Sequence, residues 1–299
     1  MCIITPTHSG DIGQFSVLRR SINLFAPGFP QIAIVDTEDF AAFRDRFAGE
    51  AALEIVKSSD VLPRLIERRR RRSGPKWLAA LQRLQGPLIK GWHAQQLMKL
   101  YALAGCGYEA AAFFDSDVFI CRPLGPEYFH VGDKLKLFRR RAPNAECLDF
   151  DIATHDILGN PLHRVTELYD YIYSPCCFRT SSAVRLFAEF RRIGPAWVRR
   201  FLTQKRPSEY HLLGYAATVL EGGAGYHIVE CNPDDLHYSV RFPEDRARLA
   251  EEIGRMKTEP KDFMLIQSSL KLRFEQISGA FDQVVAAQRT TPDEGRRAG

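Results

Sequence analysis

No stretch of this chain approaches the ~20 consecutive apolar residues that a membrane-spanning helix requires; the densest runs, such as Ala110 to Phe114, are only strand-length. A helical crossing of a bilayer is therefore not expected. The first residues, MCIITPTHSGD, lack a basic n-region, and their apolar run is broken by Pro6 and then by Asp11. That pattern predicts no secretory signal and a cytoplasmic location. Cysteine is sparse, with seven in 299 residues, and no CxxC spacing occurs; Cys176 and Cys177 are simply adjacent. Neither a zinc site nor a disulfide framework is implied, and the thiols are expected to be reduced and mostly buried. No internal repeat, low-complexity tract or nucleic-acid motif is present.

Charge of one sign is also scarce. The net charge is +5, from 41 Lys and Arg against 36 Asp and Glu, and the run Arg68 to Arg72 alone supplies five positive charges. Without it the chain is neutral, so the basicity is one local cluster rather than a field over the surface, which argues against a nucleic-acid partner. A solvated helix end and a peripheral contact with a membrane surface or an anionic acceptor both stay open for this run. What the chain does have is size and ordinary globular composition, with 45% hydrophobic and 26% charged residues. Those values exclude a disordered chain and permit a large unaided core.

Periodicity predicts alternating strands and helices. Cys2 to Thr5 reads as a strand stopped by Pro6, and Phe15, Leu18, Ile22 and Phe25 give a first helix. Gln31 to Val35 ends at Asp36 and is followed by helical spacing at Phe40, Phe43 and Phe47. Leu53 to Val56 is a third strand, after which the arginine run and Ser73-Gly74-Pro75 mark a long irregular or partly helical insertion. Leu88 to Ala104 is the clearest helix, punctuated by Gly105 and Gly107, and it leads into Ala110 to Phe114, a continuous apolar run expected to be a buried strand. Further along, strands are expected at Leu135 to Phe138, Tyr226 to Val229 and Phe263 to Ile266, with helices at Ala183 to Arg191 and Glu209 to Leu220. The alternation predicts an α/β fold whose sheet is mostly parallel and flanked by helices.

Ligands of open α/β sheets sit beyond the carboxyl ends of the strands, which is where FFDSD places Asp115 and Asp117 with Ser116 between them. Two carboxylates at i and i+2 can face one hard divalent cation such as Mg²⁺ or Mn²⁺, leaving its other positions to phosphates and water. An Asp-Ser-Asp turn can equally well just end a strand, because these side chains bond their own backbone. Ahead of it, Trp92, Gln95, Gln96 and Lys99 share one helical flank. Two amides and a cation beside an aromatic suit a polar ligand, and the same amides can satisfy buried carbonyls instead.

At this point the sequence resembles the GT-A glycosyltransferases, whose nucleotide-sugar is held through a metal on an Asp-x-Asp motif after a central strand. More narrowly, GWHAQQLMKLYA followed by FFDSDVFICRPL, together with TPTHSGD, SEYHLLGYA at Ser208 to Ala216 and LIQSS at Leu265 to Ser269, is similar to a bacterial family of largely uncharacterised glycosyltransferases. The resemblance implies a GT-A (Rossmann-like) domain over 1–285, with a nucleotide-binding half 1–120 and an acceptor-side half 121–285, leaving 286–299 as a flexible tail. It implies a metal-dependent transfer of a sugar, of the hexosyltransferase class, from a nucleotide-sugar donor to a glycan or other hydroxyl acceptor. Asp115 and Asp117 would hold Mn²⁺ or Mg²⁺, with His237 as third ligand in competition with Asp234 and Asp235. Thr5, Thr7, His8, Asp36, Gln95, Gln96, Lys99 and Ser116 would contact the nucleotide-sugar, and Glu209 would be the acceptor base.

Each residue also has a plainer reading. Lys99 can be a solvated helix residue, Glu209 and Asp36 ordinary helix-start acids, and His8 a surface histidine. Two other functions stay open. Asp115-Ser116-Asp117-Val118 also fits the nucleophile loop of a haloacid dehalogenase-type phosphatase, though that family places the loop near the start of its fold. A non-catalytic nucleotide-sugar binding protein would bind without turnover. The donor, the acceptor and the stereochemical course are not legible in the residues.

Overall fold

The computed structural model describes residues 1–70, 89, 91–141, 145–160, 168–240, 249–258 and 261–290. In chain order the strands are β1 (Cys2–Thr7), β2 (Gln31–Val35), β3 (Leu53–Lys57), β4 (Ala110–Phe113), β5 (Val118–Ile120), β6 (His130–Val131), β7 (Lys134–Arg141), β8 (Tyr169–Asp170), β9 (Cys176–Arg179), β10 (Tyr226–Glu230), β11 (His237–Val240) and β12 (Phe263–Ile266). The longer helices are α1 (Ile12–Phe25), α2 (Phe40–Arg46), α3 (Arg64–Arg70), α4 (Gly91–Gly105), α5 (Ala145–Leu158), α6 (Thr180–Ile193), α7 (Ala196–Thr203), α8 (Glu209–Tyr215), α9 (Leu249–Thr258) and α10 (Phe274–Thr290).

The described residues gather into two compact units, and both units draw on segments from each of the expected halves 1–120 and 121–285. The first takes Met1–Pro6, Pro30–Phe114 and Phe129–Cys231. Its main sheet has the order β3-β2-β1-β4-β9. The pairs β2/β3 and β1/β4 are parallel and β4/β9 is antiparallel. Helices α2, α4 and α6 pack on β3, β4 and β9, giving the mixed α/β architecture the alternation predicts. Ala110, Ala111 and Ala112 carry little side chain, so the stripe Leu97, Leu100 and Leu103 of α4 can approach the strand closely; all three leucines are fully buried. A second sheet in this unit is built on β7, parallel to β10 and antiparallel to β6 and β8.

The second unit takes Thr7–Phe29, Asp115–Tyr128 and the described residues from Asn232 onward. Its sheet has the order β11-β12-β5, parallel between β11 and β12 and antiparallel between β12 and β5. Phe119 of β5 meets Phe281 of α10 edge-on at 6.2 Å, and Phe25 of α1 meets the same ring at 6.4 Å. The Ser21 hydroxyl of α1 accepts from the Ile120 amide at 3.1 Å, fixing β5 against that helix.

Four expectations change. Strand β1 runs through Pro6 to Thr7, and its register with β4 pairs Cys2, Ile3 and Ile4 with Ala111, Ala112 and Phe113, leaving Pro6 beyond those pairs. The helix from Glu209 keeps α-helical form only to Tyr215, and residues 216–220 form a wider π-type turn. Gly214 explains the packing there, since a Cβ on it would lie 2.5 Å from the Tyr171 ring. Of the expected tail 286–299, residues 286–290 close α10, and 291–299 lie outside the described residues. The helix expected from Leu88 starts at Gly91, with 88 and 90 outside the described residues. Among the described residues, no helix is long and apolar enough to cross a membrane.

Candidate functional site

In the second unit the acidic turn is held from several sides. The Val118 amide donates to the Asp115 carbonyl at 3.1 Å, closing the turn. The Asp117 carbonyl accepts from the Ile266 amide at 3.0 Å, and its Oδ2 accepts from the Ser268 amide at 3.1 Å. Thus the segment Leu265 to Ser269 clasps the second aspartate by both its main chain and its side chain. Ser116 donates to Asp11 Oδ2 at 3.4 Å, and His8 Nε2 lies 3.6 Å from the same oxygen. Thr7 is buried, and its hydroxyl has no hydrogen-bond partner among the described residues.

This arrangement crowds three carboxylates. The Asp117 carboxyl is pushed up to about 7, first by burial, then by Asp115, with a smaller push from Asp11, while the Ser268 amide favours the ionised form. An acid destabilised by its own neighbours is a place where a cation would relieve repulsion. The donor chemistry also fits a hard divalent ion, since carboxylate oxygens suit Mg²⁺ or Mn²⁺. Among the described residues, no group of three His, Cys, Asp or Glu is arranged to hold a metal, so such an ion would need oxygens from its ligand. His237 begins β11, and neither its side chain nor that of Asp234 is among those described. Asp235 is exposed and accepts from the Asn232 amide at 3.2 Å.

The first unit gathers other expected site residues into a different cluster. On α4, the flank beside the leucine stripe is buried at His93, Gln96 and Lys99, whereas Gln95 is half-buried and Trp92 exposed. His93 Nε2 is 3.1 Å from the Gln204 carbonyl, and Gln96 Oε1 accepts from the Glu209 amide at 3.1 Å. Lys99 Nζ lies 2.8 Å from Glu209 Oε1 and donates to the Tyr210 hydroxyl at 3.0 Å. Ser208 caps α8 by accepting from the His211 amide at 3.3 Å. Gln96 and Lys99 therefore spend these groups on the start of α8. Glu209, with 0% side-chain exposure, sits as half of a buried ion pair.

Thr5 and Asp36 are also engaged. Gln31 donates to the Thr5 hydroxyl at 3.1 Å, and Arg70 Nη1 lies 2.7 Å from Asp36 Oδ1. Arg70 is bound as well by Glu67 and Ser58. One member of the arginine run thus turns inward to tie α3 to the end of β2, which takes it out of any basic surface. Arg68 is exposed, and the Arg69 side chain and residues 71 and 72 lie outside the described set.

A family profile described as "Family of unknown function (DUF6492)" matches residues 2–288. The chain belongs to the DUF6492 family. No curated protein matches it. Among solved structures, the galactosyltransferase LgtC in complex with donor and acceptor sugar analogues is similar at 12% identity and a TM-score of 0.46, over 98% of both chains. Mouse xyloside xylosyltransferase 1 in its apo form is similar at 7% identity and a TM-score of 0.43, over 91% of this chain and 99% of that one. The apo glycosyltransferase GlyE of Streptococcus pneumoniae TIGR4 is similar at 10% identity and a TM-score of 0.44, over 96% of this chain and 62% of that one.

Two groups in this DUF6492 chain were not singled out from sequence. Asp11 was read only as a residue that breaks the first apolar run, although TPTHSGD carries it. The second group centres on Asp170 in the first unit, where Asp151, Asp170 and His211 are all buried; of the three, only His211 falls in a quoted motif, SEYHLLGYA. Arg140 donates to Asp170 Oδ2 at 2.9 and 3.1 Å, and His211 Nε2 is 3.8 Å from Asp170 Oδ1. Phe150 stacks on His211 at 5.1 Å. Burial, helped by Asp170, pushes Asp151 up to about 7, and burial pulls His211 down to about 4.

A raised acid binds its proton more tightly folded than unfolded, so stability from Asp151 is full at low pH and is lost as pH rises from the ordinary carboxyl range through about 7. His211 acts oppositely, costing stability only as pH falls below the ordinary imidazole value. Asp151→Asn should therefore gain on wild type by a few kcal/mol between about pH 5 and about pH 8. Thermal melts of both proteins across that range check this; parallel curves would refute it.

Proposed function

We propose that this protein is a metal-dependent glycosyltransferase that moves a sugar from a nucleotide-sugar to a hydroxyl acceptor. The observation that supports it most is the turn Asp115-Ser116-Asp117, where burial, Asp115 and Asp11 drive the Asp117 carboxyl up to about 7. Asp115 and Asp117 would hold Mn²⁺ or Mg²⁺, which when bound neutralises charge developing on the departing diphosphate. The chain's own contribution is placement. The Ser268 amide fixes one oxygen of Asp117, and the Ser116 hydroxyl together with His8 anchors Asp11 beside the turn. The buried Thr7 hydroxyl is a donor for a nucleotide oxygen. Lys99, Gln96 and Glu209 set the start of α8 and so position what α8 carries, with Glu209 retained as candidate base only if it can leave Lys99.

The alternative reading of the same turn is a haloacid dehalogenase-type phosphatase, whose nucleophile loop Asp115-Ser116-Asp117-Val118 would also fit. A thermal-shift panel of UDP, GDP, CMP and their sugar conjugates, with and without Mn²⁺, separates the two. A ligand at about 100 times its Kd stabilises by roughly 2.7 kcal/mol, which is visible in Tm. A Mn²⁺-dependent shift with one nucleotide family, followed by sugar transfer, supports the transferase. No shift with any nucleotide, with phosphate released from a simple phosphate ester, would overturn it, and a shift without product under any acceptor would leave a binding protein.

A further inference from the structure

Arg68 to Arg72 is not the chain's only basic stretch, and the structure turns a second one outward. From Arg185 to Arg206 there are seven Lys and Arg and a single acid, Glu189. That local charge exceeds the net +5 of the whole chain. The stretch covers most of α6, all of α7 and the turn between them, within the first unit. Aromatic rings hold the two helices together, since Phe190 stacks on Trp197 at 4.1 Å and Phe187 meets Trp197 edge-on at 6.4 Å. The apolar side of each helix is thereby used inside the protein: Ala183, Leu186 and Phe190 of α6 are buried, as are Trp197, Phe201 and Leu202 of α7.

The cations take the opposite side. On α6, Val184, Arg185, Arg191 and Arg192 are all exposed, and helical periodicity puts these four positions on one face. On α7 the exposed residues are Ala196, Arg199 and Thr203, spaced three and four apart, and the exposed Lys205 follows the helix. Acids answer only part of this charge. Glu189 accepts from Arg192 at 3.0 and 3.1 Å, and Asp149 of α5 lies 3.9 Å from the half-buried Arg206. Apolar residues also stand on the outward side. Val184 is 50% exposed among the arginines, and the turn 216–220, which packs on α6, exposes Val219 at 60%.

We propose that the outward face of α6 and α7 docks on an anionic lipid bilayer. A surface of about 4–8 Lys and Arg on amphipathic helices has the charge that anionic headgroups recognise, and Arg185, Arg191, Arg192, Arg199 and Lys205 supply it here. The two valines favour lipid over a nucleic acid. A headgroup layer meets cations with phosphates and meets apolar side chains with the acyl boundary beneath, whereas a phosphate backbone offers only the first. The arginine stems lie along that boundary while their guanidinium groups stay at the phosphates. This surface uses no residue of the acidic turn, so it stands whatever reaction the turn carries out.

The test mixes the whole chain with vesicles of phosphatidylcholine alone, or of phosphatidylcholine with about one-third phosphatidylglycerol, and measures the fraction that sediments at low and raised salt. The protein should sediment only with the anionic vesicles, and salt should release it. Each of Arg185→Gln, Arg191→Gln and Arg199→Gln should weaken vesicle binding about five-fold, and the triple variant about a hundred-fold. Their Tm should stay at the wild-type value, because all three side chains are exposed. Arg68→Gln, exposed on α3, should bind as wild type does. No sedimentation with anionic vesicles, equal binding to both vesicle types, or a triple variant that binds as wild type would each overturn the proposal. Loss of binding in Arg68→Gln, or tighter binding to duplex DNA than to the anionic vesicles at the same salt, would do so too.

Discussion

Asp117→Asn should abolish metal-dependent turnover while making the metal-free protein more stable. The asparagine keeps a side-chain oxygen to accept from the Ser268 amide, so the clasp on the turn survives. It removes the carboxylate that burial, Asp115 and Asp11 make costly to ionise. The sign follows from the raised value: wild type loses stability as pH rises towards and through about 7, and the variant does not. At about pH 8 the gain should be of order a few kcal/mol, and it should shrink towards about pH 5. Transfer should fall by about 10²–10³-fold or more, the scale of losing one preorganised electrostatic partner. Thermal melts with and without Mn²⁺ read both effects, since the variant should also lose the Mn²⁺-induced rise in Tm. A variant less stable than wild type at about pH 8 would mean that the carboxylates are not crowded as described.

The other large effect is expected at the ion pair. Lys99 and Glu209 have 3% and 0% side-chain exposure and are 2.8 Å apart. Lys99→Met takes away the ammonium facing an enclosed carboxylate, and breaking a buried pair from one side costs about 3–5 kcal/mol. Adding Glu209→Gln removes the stranded charge and should restore most of the loss, because a buried pair replaced as a whole is often near neutral. Denaturant midpoints at unchanged m-value measure this. The double variant also decides what Glu209 does. If transfer returns with stability, the pair is a support for α8; a stable double variant without turnover places Glu209 in the chemistry.

Much of the sheet was legible because its strands are apolar on both sides and therefore appear as unbroken runs. Gln31 to Val35 and Phe263 to Ile266 match β2 and β12 residue for residue, and Thr180–Ile193 contains the helix expected at Ala183 to Arg191. Strands β5 and β9 were not read: Val118–Ile120 is only three residues long, and Cys176–Arg179 has three apolar residues before its arginine. The place of the candidate site past a strand end was legible as well. Asp115 and Asp117 could be found because a strand end is a definite place in sequence. The partners of Gln96, Lys99 and Asp36 could not, because they lie 113, 111 and 34 residues away. A helix flank of amides and a cation looks the same in sequence whether it faces a ligand or another helix. The burial of Asp151 on α5 was invisible for a related reason, since neighbours distant in sequence enclose it.

The clasp on Asp117 has a consequence for the order of events during synthesis. The Ser268 amide that holds its carboxylate comes 151 residues later in the chain, and the strand β12 that pairs with β5 lies just before Ser268. At about 5–20 residues per second, roughly 8 to 30 s separate the two at the ribosome. Throughout that interval Val118, Phe119 and Ile120, all fully buried in the finished protein, have an unpaired strand edge, a template for wrong pairing. The nascent chain is thus at its most aggregation-prone until these late residues emerge, and a stop codon before Ser268 should leave an insoluble fragment.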